Sequence, residues 1–180
     1  MKNLEEQTLD SEQLVDGKLL KVYRDRVTLP DGTTSHREWI NHPGAAAVVA
    51  LLDDDRILMV RQYRYPARDI FLEIPAGTLD GDEAPEKAVI RELKEETGYA
   101  AQRWTHLGAL YNCIGYSNER IHIFLAQDLT PGEQQLDSGE FIEVEKVPFE
   151  EAVAQARRGD LQDMKTVAGL LWAEGHLSNK

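Results

Sequence analysis

Cysteine is almost absent. Cys113 is the only one, so no intrachain disulfide can form and the fold must rest on burial and hydrogen bonding, as suits a reducing compartment. Positive charge is scarce too: 20 lysines and arginines face 32 aspartates and glutamates, a formal net charge of −12. Long nucleic acids gain affinity from neutralised phosphates, and so acidic a chain has little to offer them. A small anionic substrate bridged by a cation remains compatible. No uncharged apolar run approaches the ~20 residues that cross a bilayer. The opening MKNLEEQTLDSEQL has no apolar stretch of the signal-peptide kind. Internal repeats, low-complexity tracts and interdomain linkers are also missing. A soluble, cytoplasmic protein is the expectation. With 180 residues and 42% hydrophobic content, the chain can bury one good core and at most a small appendage.

Residues 1–15 are polar and read as a frayed end. Leu19 to Leu29 alternates in part, meets the turn signal Pro30-Asp31-Gly32, and Thr33 to Ile40 runs back, which predicts a hairpin. A lone hairpin is marginal in water, so this one must lie against the rest of the chain or another subunit. After His42-Pro43-Gly44, Ala45 to Leu52 is a continuous apolar run of the buried-strand type, and Arg56 to Tyr63 follows as a second strand. Further strands are expected at Phe71–Ile74, Trp104–Tyr111, Arg120–Gln127 and Phe141–Val147, and helices at Phe149–Arg157 and Leu161–Leu177. Strands and helices interleave without a regular βαβ period. That predicts an α/β fold, a mixed sheet with helices on both faces.

The densest chemistry lies between Gly77 and Tyr99, GTLDGDEAPEKAVIRELKEETGY. Ala84, Ala88 and Leu93, with Val89 and Ile90 beside them, give a helical period. Glu92, Glu95 and Glu96 then stand at i, i+3 and i+4 and share one face. Like charges so spaced each cost a helix ~0.2–0.5 kcal/mol, so helix stability does not explain them. A hard divalent cation would reverse the sign, because Mg²⁺ takes carboxylate oxygens and holds phosphates at its remaining positions.

The segment matches the Nudix box, G-x5-E-x7-R-E-U-x-E-E-x-G-U with U bulky and apolar, at every fixed position; Tyr99 is a slightly unusual final U. The chain thus resembles the Nudix hydrolases. Phe71-Leu72-Glu73-Ile74-Pro75-Ala76-Gly77, Arg61-Gln62-Tyr63-Arg64 and the N-terminal hairpin look like the branch of ADP-ribose pyrophosphatases and nucleoside diphosphate sugar hydrolases. The resemblance implies an α/β/α sandwich from about residue 43 onward. It divides the chain into a hairpin region, 1–42, that dimerises and is exchanged between subunits, and a hydrolase domain, 43–180. It also implies homodimeric hydrolysis of nucleoside diphosphate sugars with Mg²⁺, which Mn²⁺ can replace. Two other readings keep the fold: action on nucleoside triphosphates or dinucleoside polyphosphates, and a sensor that binds a nucleotide sugar without cutting it.

Roles follow by resemblance. Glu92 and Glu96 are expected as metal ligands, with Glu95 and the Ala76 carbonyl completing the set. Glu83 is expected to open the helix and pair with Arg91, both holding the loop and helix rigid. Glu140, before Phe141-Ile142-Glu143, aligns with a loop glutamate that contacts the metals and serves as proton acceptor. Ser138 stands where some relatives carry a second acid, so either Glu140 serves alone or the attacking water needs little help. Arg61, Arg64 and Glu73 are expected to hold the diphosphate and terminal sugar, and Trp39 and Tyr23 to stack on a base across the dimer. His106 and His122 read as packing or surface residues. Relatives selective for ADP-ribose often carry Ser-Pro-Gly where this chain reads Cys113-Ile114-Gly115-Tyr116-Ser117-Asn118-Glu119. The missing proline predicts a less rigid turn and broader substrate range.

Overall fold

The computed structural model describes residues 4–179. Its elements run β1 (Gln7–Asp16), β2 (Lys21–Thr28), β3 (Thr34–Asn41), β4 (Ala45–Leu51), β5 (Arg56–Arg64), β6 (Asp69–Glu73), β7 (Ala76–Thr78), α1 (Pro85–Thr97), β8 (Tyr99–Tyr111), β9 (Arg120–Pro131), β10 (Glu143–Pro148), α2 (Phe149–Arg158) and α3 (Met164–Ser178). Two compact units form: Met1–Gly44 with Tyr111–Arg120, and Ala45–Leu110 with Ile121–Lys180.

The first unit is a three-stranded antiparallel sheet in the order β1-β2-β3. Here the expectation of a frayed start is corrected for residues 7–15, while residues 1–3 lie outside the described residues. β1 pairs with β2 from Gln7↔Thr28 to Asp16↔Lys21, with two register shifts. Every residue of β1 is exposed, so it carries no apolar alternation by which to read it. Polar cross-strand pairs line it instead. Arg26 Nη2 meets Asp10 Oδ2 at 2.5 Å, Ser11 Oγ donates to Asp25 Oδ1 at 2.6 Å, and Lys21 pairs with Asp16. Each surface ion pair contributes only ~0–1 kcal/mol.

The Cys113–Glu119 loop belongs to the same unit. The amides of Tyr116 and Ser117 both donate to the Cys113 carbonyl, at 3.2 and 2.9 Å. Asn118 Oδ1 accepts from the His42 amide at 2.7 Å. Backbone hydrogen bonds close this turn although it has no proline.

The second unit holds a seven-stranded sheet, β10-β5-β4-β9-β8, with β6 on β5 and β7 on β4. It is mixed: β4 runs parallel to β9 and antiparallel to β5 and β7. Side chains of β4 alternate between two cores. Ala45, Ala47 and Val49 pack with Ile123, Leu125, Ala152 of α2 and Leu170 of α3. Ala46, Val48 and Ala50 pack with Phe124 and with Ala88, Val89 and Leu93 of α1. Helices cover both faces, which is why β4 reads as an unbroken apolar run.

Several boundaries move. β8 begins at Tyr99 rather than Trp104; Ala100, Gln102 and Arg103 give no strand pattern by which to read its start. β10 begins at Glu143, and Phe141 is 86% exposed. α3 begins at Met164, capped by Asp163, whose carboxylate accepts the Thr166 amide at 3.0 Å. Ile90 lies on the exposed side of α1.

Candidate active site

α1 starts at Pro85, which suits the first helical position because its missing N–H would have no partner there. Gly98 ends it in the left-handed region, φ 76°, donating to the Lys94 carbonyl at 2.8 Å. A Cβ on Gly98 would meet the Gln134 nitrogen at 2.7 Å. The loop after β9 sits that close because it caps the helix. The Gln135 amide donates to the Glu95 carbonyl at 3.0 Å, and Gln134 Nε2 to the Glu96 carbonyl at 2.5 Å. These two contacts satisfy carbonyls that a helix end leaves orphaned. Neither glutamine stood out in the sequence, since groups that cap a helix from a distant loop follow no spacing rule.

Arg91 organises the exposed half of the site. Its guanidinium donates to Glu83 Oε2 at 3.1 Å, Glu92 Oε1 at 2.7 Å, Glu95 Oε2 at 3.0 Å and the Thr78 carbonyl at 3.2 Å. Glu83 also accepts the Asp80 amide at 3.3 Å. It precedes the helix rather than opening it, so the expected first-turn position is corrected: Glu86 is the acid of that turn. Arg91 holds the Glu83 carboxyl below its ordinary pKa, and Glu83 foremost raises that of Arg91.

Glu96 faces inward and is 4% exposed. Its Oε2 accepts the Ala76 amide at 2.9 Å, which ties α1 to β7. Burial, joined by the charges of Glu92 and Glu140, pushes its pKa up to about 8. Burial also raises Glu92, against the pull of Arg91, with Glu95 and Glu140 adding to the rise. Gly77 lies directly under Glu92: a Cβ there would fall 1.9 Å from Oε1. Only glycine leaves room for that carboxylate.

With Glu92 and Glu95 turned to Arg91, no group of three or more His, Cys, Asp or Glu side chains among the described residues is arranged to hold a metal as it stands. The donor set nevertheless suits a hard divalent cation. Glu92, Glu95 and Glu96 are oxygen donors on one helix face; Glu96 is buried and Glu92 half-buried, and the loss of water disfavours the negative charge of both.

Arg61 and Glu140 line one groove of about 420 Å³, with Tyr63, Ile70 and Phe141 among its walls. Arg61 Nε donates to Glu145 Oε1 at 2.5 Å. A larger hollow of about 890 Å³ beside α2 and α3 contains none of the candidate residues. Arg64 is separate from Arg61. Its Nε and Nη2 grip Glu73 Oε1 and Oε2 at 2.8 and 2.7 Å, and Lys165 meets Oε2 as well. Burial pushes Glu73 up, yet Arg64 and Lys165 outweigh it and hold the group below its ordinary value. Tyr23 and Trp39, in the first unit, are directly paired across β2 and β3 and stack at 5.2 Å, with Trp39 Nε1 donating to Asp25 at 2.9 Å. His106 and His122 stack on each other at 5.4 Å.

Comparison with known proteins agrees with this geometry. The model of the NUDIX domain matches residues 41–168, and that of the nucleoside diphosphate sugar hydrolase N-terminal domain matches residues 6–40. The chain belongs to the Nudix family. It is 42% identical to an ADP-ribose pyrophosphatase of Bacillus subtilis (strain 168), over 97% of this chain and 95% of that one. It is 37% identical to a methanol dehydrogenase activator of Bacillus methanolicus, over 96% and 95%. The solved structure of an ADP compounds hydrolase shares the fold, with a TM-score of 0.86, 24% identity and coverage of 99% and 98%.

Proposed function

We propose that this protein hydrolyses the diphosphate bridge of nucleoside diphosphate sugars, ADP-ribose among them, to a nucleoside monophosphate and a sugar phosphate, with Mg²⁺ or in its place Mn²⁺. The observation that carries the reading is the carboxylate face of α1, Glu92, Glu95 and Glu96, set against Ala76 and Gly77. These side chains, the Ala76 carbonyl and Glu140 would hold the cation. When bound, it neutralises charge on the diphosphate oxygens. Arg91 and Glu83 fix the helix against the β7 turn. Arg64, with Nε and Nη2 committed to Glu73, keeps Nη1 for a phosphate oxygen, and Arg61 serves the same groove as Glu140. Glu140 takes the proton of the attacking water. One water adds across the P–O–P bridge: its oxygen stays on one phosphorus, and the bridging oxygen leaves with the other.

The working unit is a homodimer, with residues 1–42 forming the contact and Tyr23 and Trp39 stacking on the base in the partner's site. The three-stranded sheet and the match to the N-terminal domain of nucleoside diphosphate sugar hydrolases support this. Light scattering at micromolar concentration should give the dimer mass; a fully active monomer contradicts it. We place the protein in the cytoplasm, on its single cysteine and acidic charge. No described helix is long and apolar enough to cross a membrane.

Hydrolysis with Mg²⁺ should be compared across ADP-ribose, GDP-mannose, ADP-glucose, nucleoside triphosphates and capped RNA. Nucleoside diphosphate sugars should be fastest. At least one hexose conjugate should come within roughly tenfold of ADP-ribose in kcat/KM, the worth of one sugar contact. Triphosphates turned over far faster than every nucleoside diphosphate sugar would overturn the substrate class.

A further inference from the structure

Behind Arg64 lies a buried charge network that no motif announces. Glu73 is 2% exposed, Lys165 8% and Thr166 fully enclosed. Lys165 Nζ bridges two acids, Glu73 and Asp163, the latter at 2.9 Å. Asp163 caps α3 by accepting from the Thr166 amide and hydroxyl, at 3.0 and 2.5 Å. The same hydroxyl oxygen accepts the Ile74 amide at 2.9 Å. Two residues on is Ala76, whose amide meets Glu96. The start of α3 thus grips both the carboxylate that holds Arg64 and the strand end that leads to the helix carboxylates.

We propose that Lys165 is a positioning residue for substrate binding: it serves Glu73 and Asp163 so that Arg64 keeps Nη1 for phosphate. Glu73 is buried and Asp163 half-buried, and the two acids need two cations, since a charge left unpaired out of water is strongly destabilising. Arg64 and Lys165 supply them. Without Lys165, the Arg64 guanidinium is the one cation left in the network for Glu73 and Asp163 together, and it is drawn away from the phosphate side. Lys165 itself has both acids as partners and needs no contact with substrate. This inference rests on the hydrolase reading above for its kinetic consequence, but not for the coupling.

The test is a double-mutant cycle in the full-length protein, Lys165→Met and Arg64→Ala, singly and together. Lys165→Met should raise KM for ADP-ribose roughly tenfold with kcat changed less than about twofold, the signature of lost uniform binding. In the Arg64→Ala background it should move KM less than about twofold, because the residue it acts through is gone. A structural lesion would act equally in both backgrounds. Lys165→Gln, which keeps a donor for Glu73, replaces the apolar variant should that fail to fold. An unchanged KM in folded Lys165→Met, or an equal rise with and without Arg64, overturns the inference. Urea unfolding of the same variants gives a readout independent of turnover: the unfolding equilibrium constants should be non-additive by roughly tenfold. Additive constants overturn the inference whatever the substrate. If the wild type cleaves no nucleoside diphosphate sugar, the hydrolase reading fails, and the unfolding cycle still decides the coupling.

Discussion

Replacing Glu96 with glutamine should make the metal-free protein more stable, and increasingly so as pH rises. Glu96 is enclosed between α1 and β7, and burial first, with Glu92 and Glu140 adding to it, raises its pKa to about 8 from the ordinary 4.5. Between those two values the folded protein holds a proton that the unfolded chain has released. Stability is therefore full below the unfolded value and falls as pH climbs toward 8. Above that the loss levels off on the order of 3–5 kcal/mol, a large part of the ~5–15 kcal/mol that keeps a domain folded. Glutamine keeps an oxygen for the Ala76 amide and carries no charge to bury. Urea unfolding in chelator is the assay. Near pH 5 the two proteins should agree closely, and near pH 9 the variant should lead by on the order of 3–5 kcal/mol. Excess Mg²⁺ should stabilise the wild type and not the variant, because a ligand stabilises only the state that binds it. A difference between the two proteins that stays constant with pH would refute the electrostatic account of this site.

Activity should vanish in chelator and return with Mg²⁺ or Mn²⁺, and Glu96→Gln should lose at least ~100-fold in kcat, as a steady-state assay would show. Gly77→Ala should fold normally, because the clash is with the movable end of Glu92. Its thermal midpoint should hold while kcat falls, since Glu92 can no longer lie over the β7 turn. Arg91→Ala should impair turnover and stability together, because Glu83, Glu92, Glu95 and the Thr78 carbonyl all lose a donor; paired kinetic and unfolding measurements check it.

The candidate site was legible where its residues lie close in sequence. Glu92, Glu95 and Glu96 share a helix face by spacing alone, and Gly98 stops the helix as its conformational freedom foretells. What could not be read depends on contacts between distant segments. Lys165 looks like any first-turn lysine until Glu73, 92 positions away, is folded against it. Gln134 and Gln135 matter only because their loop meets the end of α1. β1 was invisible for a different reason. Its side-chain contacts are polar ones with Lys21, Asp25 and Arg26 of β2, and hydrophobic alternation cannot report a strand that buries nothing.

In the proposed reaction water opens the diphosphate bridge itself. Chromatography of ADP-ribose after complete reaction with Mg²⁺ tests it most directly. AMP and ribose 5-phosphate should appear in equal amounts, with no product in chelator. Release of ADP with free ribose, of inorganic phosphate, or full activity in excess chelator would contradict it.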